Sequence, residues 1–332
     1  MKRVTIKDIA ALAGVNISTV SRALKDHPDI GQPLRDKIKD LAQSLNYHPN
    51  MIAVQLRRQK SRTIGLVLPD SNTFFIPSVI KGVSDAVKKH GYRLLVLQSG
   101  DNFEQEIENI RICYEYGVEG LLVSLTNKTT HLEHLEAIQE AGISVVLVDK
   151  LLDNSLFDQV TIDDIAATHT CVDYLIQTGC RRILGVFGHP NMTISLKRLN
   201  GFQDKIAQHQ GIEAEHIFAG DTFEAWRGVE KLFADFKPDG IFAMSDETIA
   251  GVVPALKRLK IRIPEECAVI GISDGYLPRI LDPEVTFLLH DGFSLGKMAT
   301  EQLFVRLNQA VQENQPTSLV LPTTLFVNQS TR

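Results

Sequence analysis

Three groups of residues have types and spacings that could do chemistry. The first is Ile17-Ser18-Thr19-Val20-Ser21-Arg22. On a helix Val20 and Leu24 share one face, which leaves Ile17, Ser18, Ser21 and Arg22 on the other. A guanidinium can pair bidentately with guanine, and an aliphatic side chain can meet a thymine methyl. The hydroxyls of Thr19 and Ser21, with a helix N-terminus, suit phosphates. The second group stands just after apolar runs: Asp70, Ser71 and Asn72, then Asp149, Ser245 with Asp246, and Asp274. Arg198 opens Arg-Leu-Asn-Gly-Phe, and Phe74, Phe75 and Phe223 offer flat apolar faces. Carboxylates and an arginine around aromatic rings match vicinal hydroxyls and a stacking CH face, the surface of a sugar. The third group is Gly271-Ile272-Ser273-Asp274-Gly275, a G-x-S-x-G pattern followed by Asp282 and His290. A nucleophile elbow needs a helix directly after its serine. Tyr276-Leu277-Pro278 and Pro283 argue against one, so the chain is not expected to be an enzyme. His131-Leu132-Glu133-His134 lacks the further ligands of a metal site, and no P-loop or dinucleotide signature appears. Neither a metal nor a cofactor is expected.

The elements that must position these residues change character along the chain. Thr5-Ile6-Lys7-Asp8 reads as a capping box, followed by Ile9, Ala10 and Ala13 at helical spacing and by Gly14 as a stop. Asn16 reads as the N-cap of a second helix over 17–24. Two short helices with glycine in the turn form a helix-turn-helix, and a third helix is expected over 32–45. Pro49 marks a boundary. Residues 51–59 read as a short helix and 59–63 as a polar linker. From residue 63 onward apolar runs such as Ile64-Gly65-Leu66-Val67-Leu68, Leu94-Leu95-Val96-Leu97 and Val145-Val146-Leu147-Val148 alternate with amphipathic helices. That alternation predicts an α/β fold with parallel sheets. About 270 such residues exceed one comfortable core, so two lobes are expected. Ligands of such folds bind beyond the C-terminal ends of the strands, where the second group of residues falls.

Composition narrows the function classes. The 332 residues are 44% hydrophobic and 23% charged, ordinary globular usage. No apolar run reaches the roughly 18 residues of a membrane span, and the N-terminus has no secretory leader pattern. The four cysteines form no CxxC pair, so a reducing cytoplasm is expected. The net charge of −5 is split: residues 1–62 carry +7 and the remainder −12. A basic head on an acidic body points to a polyanion as the partner of the head.

Val4-Thr5-Ile6-Lys7-Asp8-Ile9-Ala10 through Ala13-Gly14-Val15, then Ser18-Thr19-Val20-Ser21-Arg22-Ala23-Leu24, resembles the lactose/galactose repressor (LacI/GalR) family of bacterial transcription regulators. The resemblance continues through Asn46-Tyr47-His48-Pro49-Asn50 and Ile64-Gly65-Leu66-Val67-Leu68-Pro69-Asp70. It returns at Arg198-Leu199-Asn200-Gly201-Phe202, Ser245-Asp246-Glu247 and Val269-Ile270-Gly271-Ile272-Ser273-Asp274. It spans essentially the whole chain.

The resemblance implies an all-α helix-turn-helix head at 1–48 and a hinge helix with linker at 49–61. It implies a two-lobed core like a periplasmic binding protein at 62–332, the chain crossing three times between lobes of about 62–162 with 291–320 and 163–290 with 321–332. Positions 17, 18 and 22 would read bases, with Thr5, Asn16, Thr19 and Ser21 also placed at the DNA. Asn50, Ala53 and Leu56 share one helical stripe. The resemblance implies that two such hinge helices pair in the minor groove with Leu56 as an apolar wedge, and Arg57 and Arg58 can reach phosphates. Asp70, Asn72, Phe74, Phe75, Asp149, Arg198, Phe223, Ser245, Asp246 and Asp274 would surround a small effector, a sugar or sugar derivative. Ser245 stands where the family frequently has asparagine. The stretch Asp221–Trp226 is one residue longer than usual, which leaves both Phe223 and Trp226 as the stacking aromatic. The expectation is a cytoplasmic, effector-controlled repressor, a homodimer on a pseudo-palindromic double-stranded operator.

Overall fold

The computed structural model describes residues 4–47, 61–70, 73–152, 156–308 and 315–332. The chain divides into two units, Met1–Ser61 and Arg62–Arg332.

The first unit contains α1 (Ile6–Ala13), α2 (Ile17–Ala23) and α3 (Gln32–Ser44). The capping box that starts α1 is complete: Thr5 N donates to Asp8 Oδ2 at 2.7 Å, and Asp8 N donates to Thr5 Oγ1 at 3.4 Å. Gly14 ends α1 at φ 71°, a left-handed conformation that glycine adopts without a Cβ clash. Asn16 differs from expectation. Its backbone is extended as an N-cap requires, but its side chain makes no cap hydrogen bond. The first turn of α2 is therefore capped only by backbone geometry. Ile9, Ala10 and Ala13 of α1, Val20 and Ala23 of α2, and Ile38 and Ala42 of α3 close on one another with Ile30 as a small core. The expected helix over 51–59 lies outside the described residues.

The second unit is built on two six-stranded sheets. The first has the order β11-β5-β4-β3-β1-β2, from β1 (Thr63–Leu68), β2 (Arg93–Gln98), β3 (Gly120–Val123), β4 (Ser144–Val148), β5 (Asp158–Thr161) and β11 (Ser318–Val320). All its pairings are parallel. The second has the order β12-β10-β9-β8-β6-β7, from β6 (Arg182–Phe187), β7 (Glu213–Phe218), β8 (Gly240–Ala243), β9 (Ala268–Ser273), β10 (Thr286–Leu289) and β12 (Thr324–Phe326). It is parallel except for β12 against β10. The helices are α4 (Ile76–Lys89), α5 (Phe103–Glu115), α6 (Glu133–Glu140), α7 (Asp164–Gln177), α8 (Thr193–Ala207), α9 (Thr222–Phe236), α10 (Asp246–Arg258), α11 (Leu277–Ile280) and α12 (Gly292–Asn308).

The unbroken apolar strands are explained by burial on both faces. On β1, Ile64, Leu66 and Leu68 join a core with Val79 and Val83 of α4 and Leu295 and Leu303 of α12. Val67, pointing the other way, joins Ile110 and Cys113 of α5 and Leu135 of α6. The α4–α12 contact brings backbones together: a Cβ added at Gly82 would overlap the Phe293 carbonyl oxygen, and one at Gly296 would overlap that of Val79. Among the described residues no helix is long and apolar enough to cross a membrane.

Candidate functional sites

In the first unit, α2 presents the residues singled out by type. Ile17 is 43% exposed, and Asn16, Ser18 and Arg22 are exposed beside it. Thr19 and Ser21 are half-buried, while Val20 on the opposite face is fully buried. The Arg22 guanidinium lies 3.8 Å from Asp29 with both side chains largely exposed. Such a pair contributes about 1 kcal/mol or less and leaves the guanidinium free to turn to another acceptor. Thr5 is already engaged, since its hydroxyl donates to Asp8 at 2.7 Å. Asn50, Ala53, Leu56 and Arg57 lie outside the described residues.

In the second unit a cleft of about 570 Å³ opens where the strands of both sheets end. Its size falls within the roughly 300–1,000 Å³ of small-molecule sites. Asp70, Phe75 and Asp149 reach it from the β1 and β4 ends. Arg198 reaches it from α8, and Phe223, Ser245, Asp246 and Asp274 from the β7, β8 and β9 ends. Asn72 lies outside the described residues. Phe74 is a correction: it is 39% exposed and does not line the cleft. Its backbone N–H donates to Glu247 Oε1 at 3.2 Å. Phe74 and Phe75 immediately precede α4, and only Phe75 lines the cleft. The alternative of Phe223 and Trp226 is divided the same way. Phe223 lines the cleft and is 67% exposed, whereas Trp226 packs against the core beneath α9 and α10.

The polar groups of the cleft differ in how far the protein itself satisfies them. Ser245 caps α10, its hydroxyl accepting from Thr248 N at 3.4 Å. Asp246 accepts from the Ser273 hydroxyl and from Asp274 N. Burial pushes its carboxyl up to about 7, against the pull of those two hydrogen bonds. Asp274 accepts from Ser78 Oγ at 2.5 Å and from Gly292 N at 2.8 Å. Both donors belong to helices stacked on the first sheet, so this carboxylate ties the end of β9 to α4 and α12.

Arg198 is buried. Its Nε donates to Asp164 Oδ1 at 2.8 Å and its Nη1 to the Met244 carbonyl, while Nη2 has no partner among the described residues. Asp149 holds φ 65° at the end of β4. Its Oδ1 has no hydrogen-bond partner and lies 3.5 Å from His290 Nε2, which also has none. That separation brings the two groups together without hydrogen-bonding geometry. Burial, reinforced by the Asp164 carboxylate, pushes Asp149 up to about 6 despite Lys150 and Arg198. Burial and the Arg198 charge hold His290 well below its ordinary value, so its ring is neutral.

Two lining residues, Lys150 and His290, are not among the effector-site candidates. Lys150 Nζ donates to Asn127 Oδ1 at 3.0 Å, and Asn127 in turn donates to Asp101. Burial lowers the Lys150 ammonium, opposed by the carboxylates of Asp149, Asp101, Glu247 and Asp70. His290 directly follows β10, whose short apolar stretch Phe287-Leu288-Leu289 is not recognised as a strand from the sequence. Contrary to expectation the prolines do not exclude a helix after the G-x-S-x-G stretch: α11 starts at Leu277 with Pro278 in its first turn. Ser273 is buried, accepts from Gly275 N and donates to Asp246, the Asp282 side chain is 98% exposed, and the His290 ring packs on Phe75 at 4.2 Å. His131 and His134 pair with different carboxylates, Glu133 and the buried Glu106.

Comparison with known proteins agrees with this architecture. Residues 5–50 match the model for bacterial regulatory proteins of the lacI family, and residues 172–331 match a periplasmic binding protein-like domain. The chain is 29% identical over 333 residues to the HTH-type transcriptional regulator RegA of Clostridium saccharobutylicum, covering 98% of this chain and 99% of that one. It is 28% identical over 335 residues to catabolite control protein A of Priestia megaterium, covering 99% of both. The lac repressor dimer solved with operator and the anti-inducer ONPF superposes with a TM-score of 0.88 at 20% identity, over 99% of both chains, a likeness of fold. The chain thus joins a lacI-family DNA-binding domain to a periplasmic binding protein-like domain, and the relatives it matches over nearly their whole length are regulators of transcription.

Proposed function

We propose that the protein is a repressor whose operator affinity is set by a small polyhydroxy effector held in the cleft of the second unit. The observation that carries the reading is the set of buried polar atoms left without partners there: Arg198 Nη2, Asp149 Oδ1 and His290 Nε2. Buried polar groups are nearly always paired, so three orphans around one cleft suit a ligand that completes them. A donor, a carboxylate acceptor and a neutral imidazole match the hydroxyls of a sugar, with Phe75 and Phe223 as apolar walls. Asp70 and Ser245 complete the polar lining, and Asp246 and Asp274 hold its frame.

In this reading Ile17, Ser18 and Arg22 contact base edges, and Asn16, Thr19 and Ser21 contact backbone or adjoining positions. The hinge residues Asn50, Ala53, Leu56 and Arg57 enter the minor groove. Residues 1–48 form the head, 49–61 the hinge, and the core lobes follow the two sheets. The protein acts in the cytoplasm as a homodimer on a pseudo-palindromic site and carries out no catalysis; the lac repressor, similar in fold, was solved as a dimer bound to operator.

Selection of duplexes from a random pool by the full-length protein tests this reading. The expected result is a two-fold symmetric consensus bound by a dimer, with log K falling by about 0.9 per neutralised phosphate against log salt. Enrichment of no common sequence would overturn it.

A further inference from the structure

The basic first unit includes five aspartates, and a carboxylate on a face that approaches phosphates lowers affinity unless it has a task there. Three have local partners: Asp8 completes the α1 capping box, Asp26 pairs with Lys39 of α3, and Asp36 accepts from Gln32 one helical turn earlier. Asp40 is exposed on α3. Asp29 stands beside the face of α2 that carries Ile17, Ser18 and Arg22. It lies in the loop between α2 and α3, 3.8 Å from Arg22 Nη1 and 3.4 Å from His27 Nδ1, with its side chain 61% exposed. Bonds on both sides of Asp29 fix this loop. His27 N donates to the Arg22 carbonyl at 3.0 Å, and Ile30 N to the His27 carbonyl at 3.1 Å. The Arg35 guanidinium of α3 donates to the carbonyls of both His27 and Ile30. The Ile30 side chain is buried in the core of the unit. Asp29 N donates to His27 Nδ1 at 3.3 Å, which holds that ring beside the carboxylate. A pinned backbone thus delivers the Asp29 carboxylate to the tip of Arg22.

We propose that Asp29 is a specificity-determining residue of the DNA-reading head, its carboxylate taking Arg22 Nη1 and so presenting the Nε–Nη2 edge of the guanidinium to a guanine. The proposal rests on the reading of Arg22 as a base-contacting residue and adds to it the group that aims it. Arginine reads guanine through two parallel N–H donors on O6 and N7. A guanidinium without a fixed plane can turn to a phosphate as readily as to a base, and a phosphate contact carries no sequence information. A charge-assisted bond to a carboxylate fixes the plane and leaves one forked edge for the base. The exposed pair is weak in water, and it strengthens in the groove as water is displaced around it. The carboxylate also discriminates by repulsion, because its oxygens only accept and therefore oppose acceptor atoms of a wrong base.

The test uses the full-length protein and four duplexes built on the site obtained by selection. They carry each of the four base pairs at the position where R22A relaxes discrimination. Fluorescence anisotropy gives the four affinities for wild type, D29N, D29A, R22A and the D29N/R22A double variant. D29N and D29A both remove the charge at an exposed position, so each checks the other. Wild type should favour guanine by about tenfold or more over the other bases. D29N and D29A should each cut that ratio by about threefold or more, whereas D29N should leave it unchanged once Arg22 is alanine. A role confined to the turn of the loop would weaken all four duplexes by one factor. A role in repelling backbone phosphates would strengthen all four by one factor. Either result, with the ratio kept, overturns the proposal. A preferred base other than guanine, or an equal loss of discrimination from D29N in the R22A background, overturns it too. If R22A relaxes one position and the changes at Asp29 do not, the proposal alone fails. If R22A relaxes no position, the reading of Arg22 fails and the proposal falls with it.

Discussion

Asp149→Asn should make the ligand-free protein more stable. Asp149 is buried at the end of β4, its Oδ1 has no partner, and its carboxyl is pushed up from 3.8 to about 6. The fold therefore prefers the protonated form. Between pH 3.8 and 6 the folded chain holds a proton that the unfolded chain releases, so stability falls as pH rises through that window and is flat above it. At 1.36 kcal/mol per pH unit the charge costs the fold up to about 3 kcal/mol at pH 7, about half of that at pH 5, and nothing below pH 4. Asparagine removes the charge and keeps the shape. It also tolerates the left-handed φ of 65° found there, and its amide can donate to the neutral His290 Nε2. Urea unfolding of wild type and variant from pH 4 to 7.5 reads the difference. Other titrating groups are common to both chains and cancel. The variant should gain roughly 1–3 kcal/mol at pH 7, with the gain vanishing towards pH 4, and should bind effector more weakly. A variant less stable than wild type at pH 7, or a gain independent of pH, would refute the reasoning.

Arg22→Ala should cost about 1–3 kcal/mol on the preferred duplex and relax discrimination at one base position; anisotropy titrations against single-base substitutions of the site would show it. Arg198→Lys keeps a cation near Asp164 but loses the forked contacts, so the effector response should disappear in an operator-binding assay while the ligand-free protein still binds DNA. Arg198→Ala, by contrast, leaves Asp164 buried without its partner and should lower stability by about 3–5 kcal/mol in chemical denaturation. Gly82→Ala forces a methyl against the Phe293 carbonyl and should cost at least about 1–3 kcal/mol in the same assay.

Much of this architecture is legible in residue types because it rests on short-range rules. The Thr5–Asp8 cap, Gly14 and the period of the helices identify the head. The rule that strands of a parallel sheet deliver their following residues to a common edge brings Asp70, Asp149, Ser245, Asp246 and Asp274 to one cleft. What residue types do not convey is which of those groups the protein satisfies internally. Asp274 meets Ser78 across a separation of 196 positions, and Asp246 meets Ser273 across 27. No local pattern announces such partners. His290 reads only as the last member of the G-x-S-x-G pattern and not as a cleft residue, because the four-residue strand β10 that delivers it is not recognised in the sequence. Phe74 and Phe75 are alike as residues, and only the fold separates them. Asn16 has the type and backbone of a cap, yet its side chain makes no cap bond.

The central claim is that cleft and head are coupled, and one titration addresses it. The operator duplex obtained by selection is titrated with full-length protein, without effector and with a saturating concentration of the sugar that binds the cleft. The account predicts a change in operator Kd of about fivefold or more, corresponding to the roughly 1–3 kcal/mol of an allosteric coupling. By linkage the sugar must bind with an affinity altered by the same factor when operator is present. An operator Kd that stays the same under saturating sugar would contradict the account.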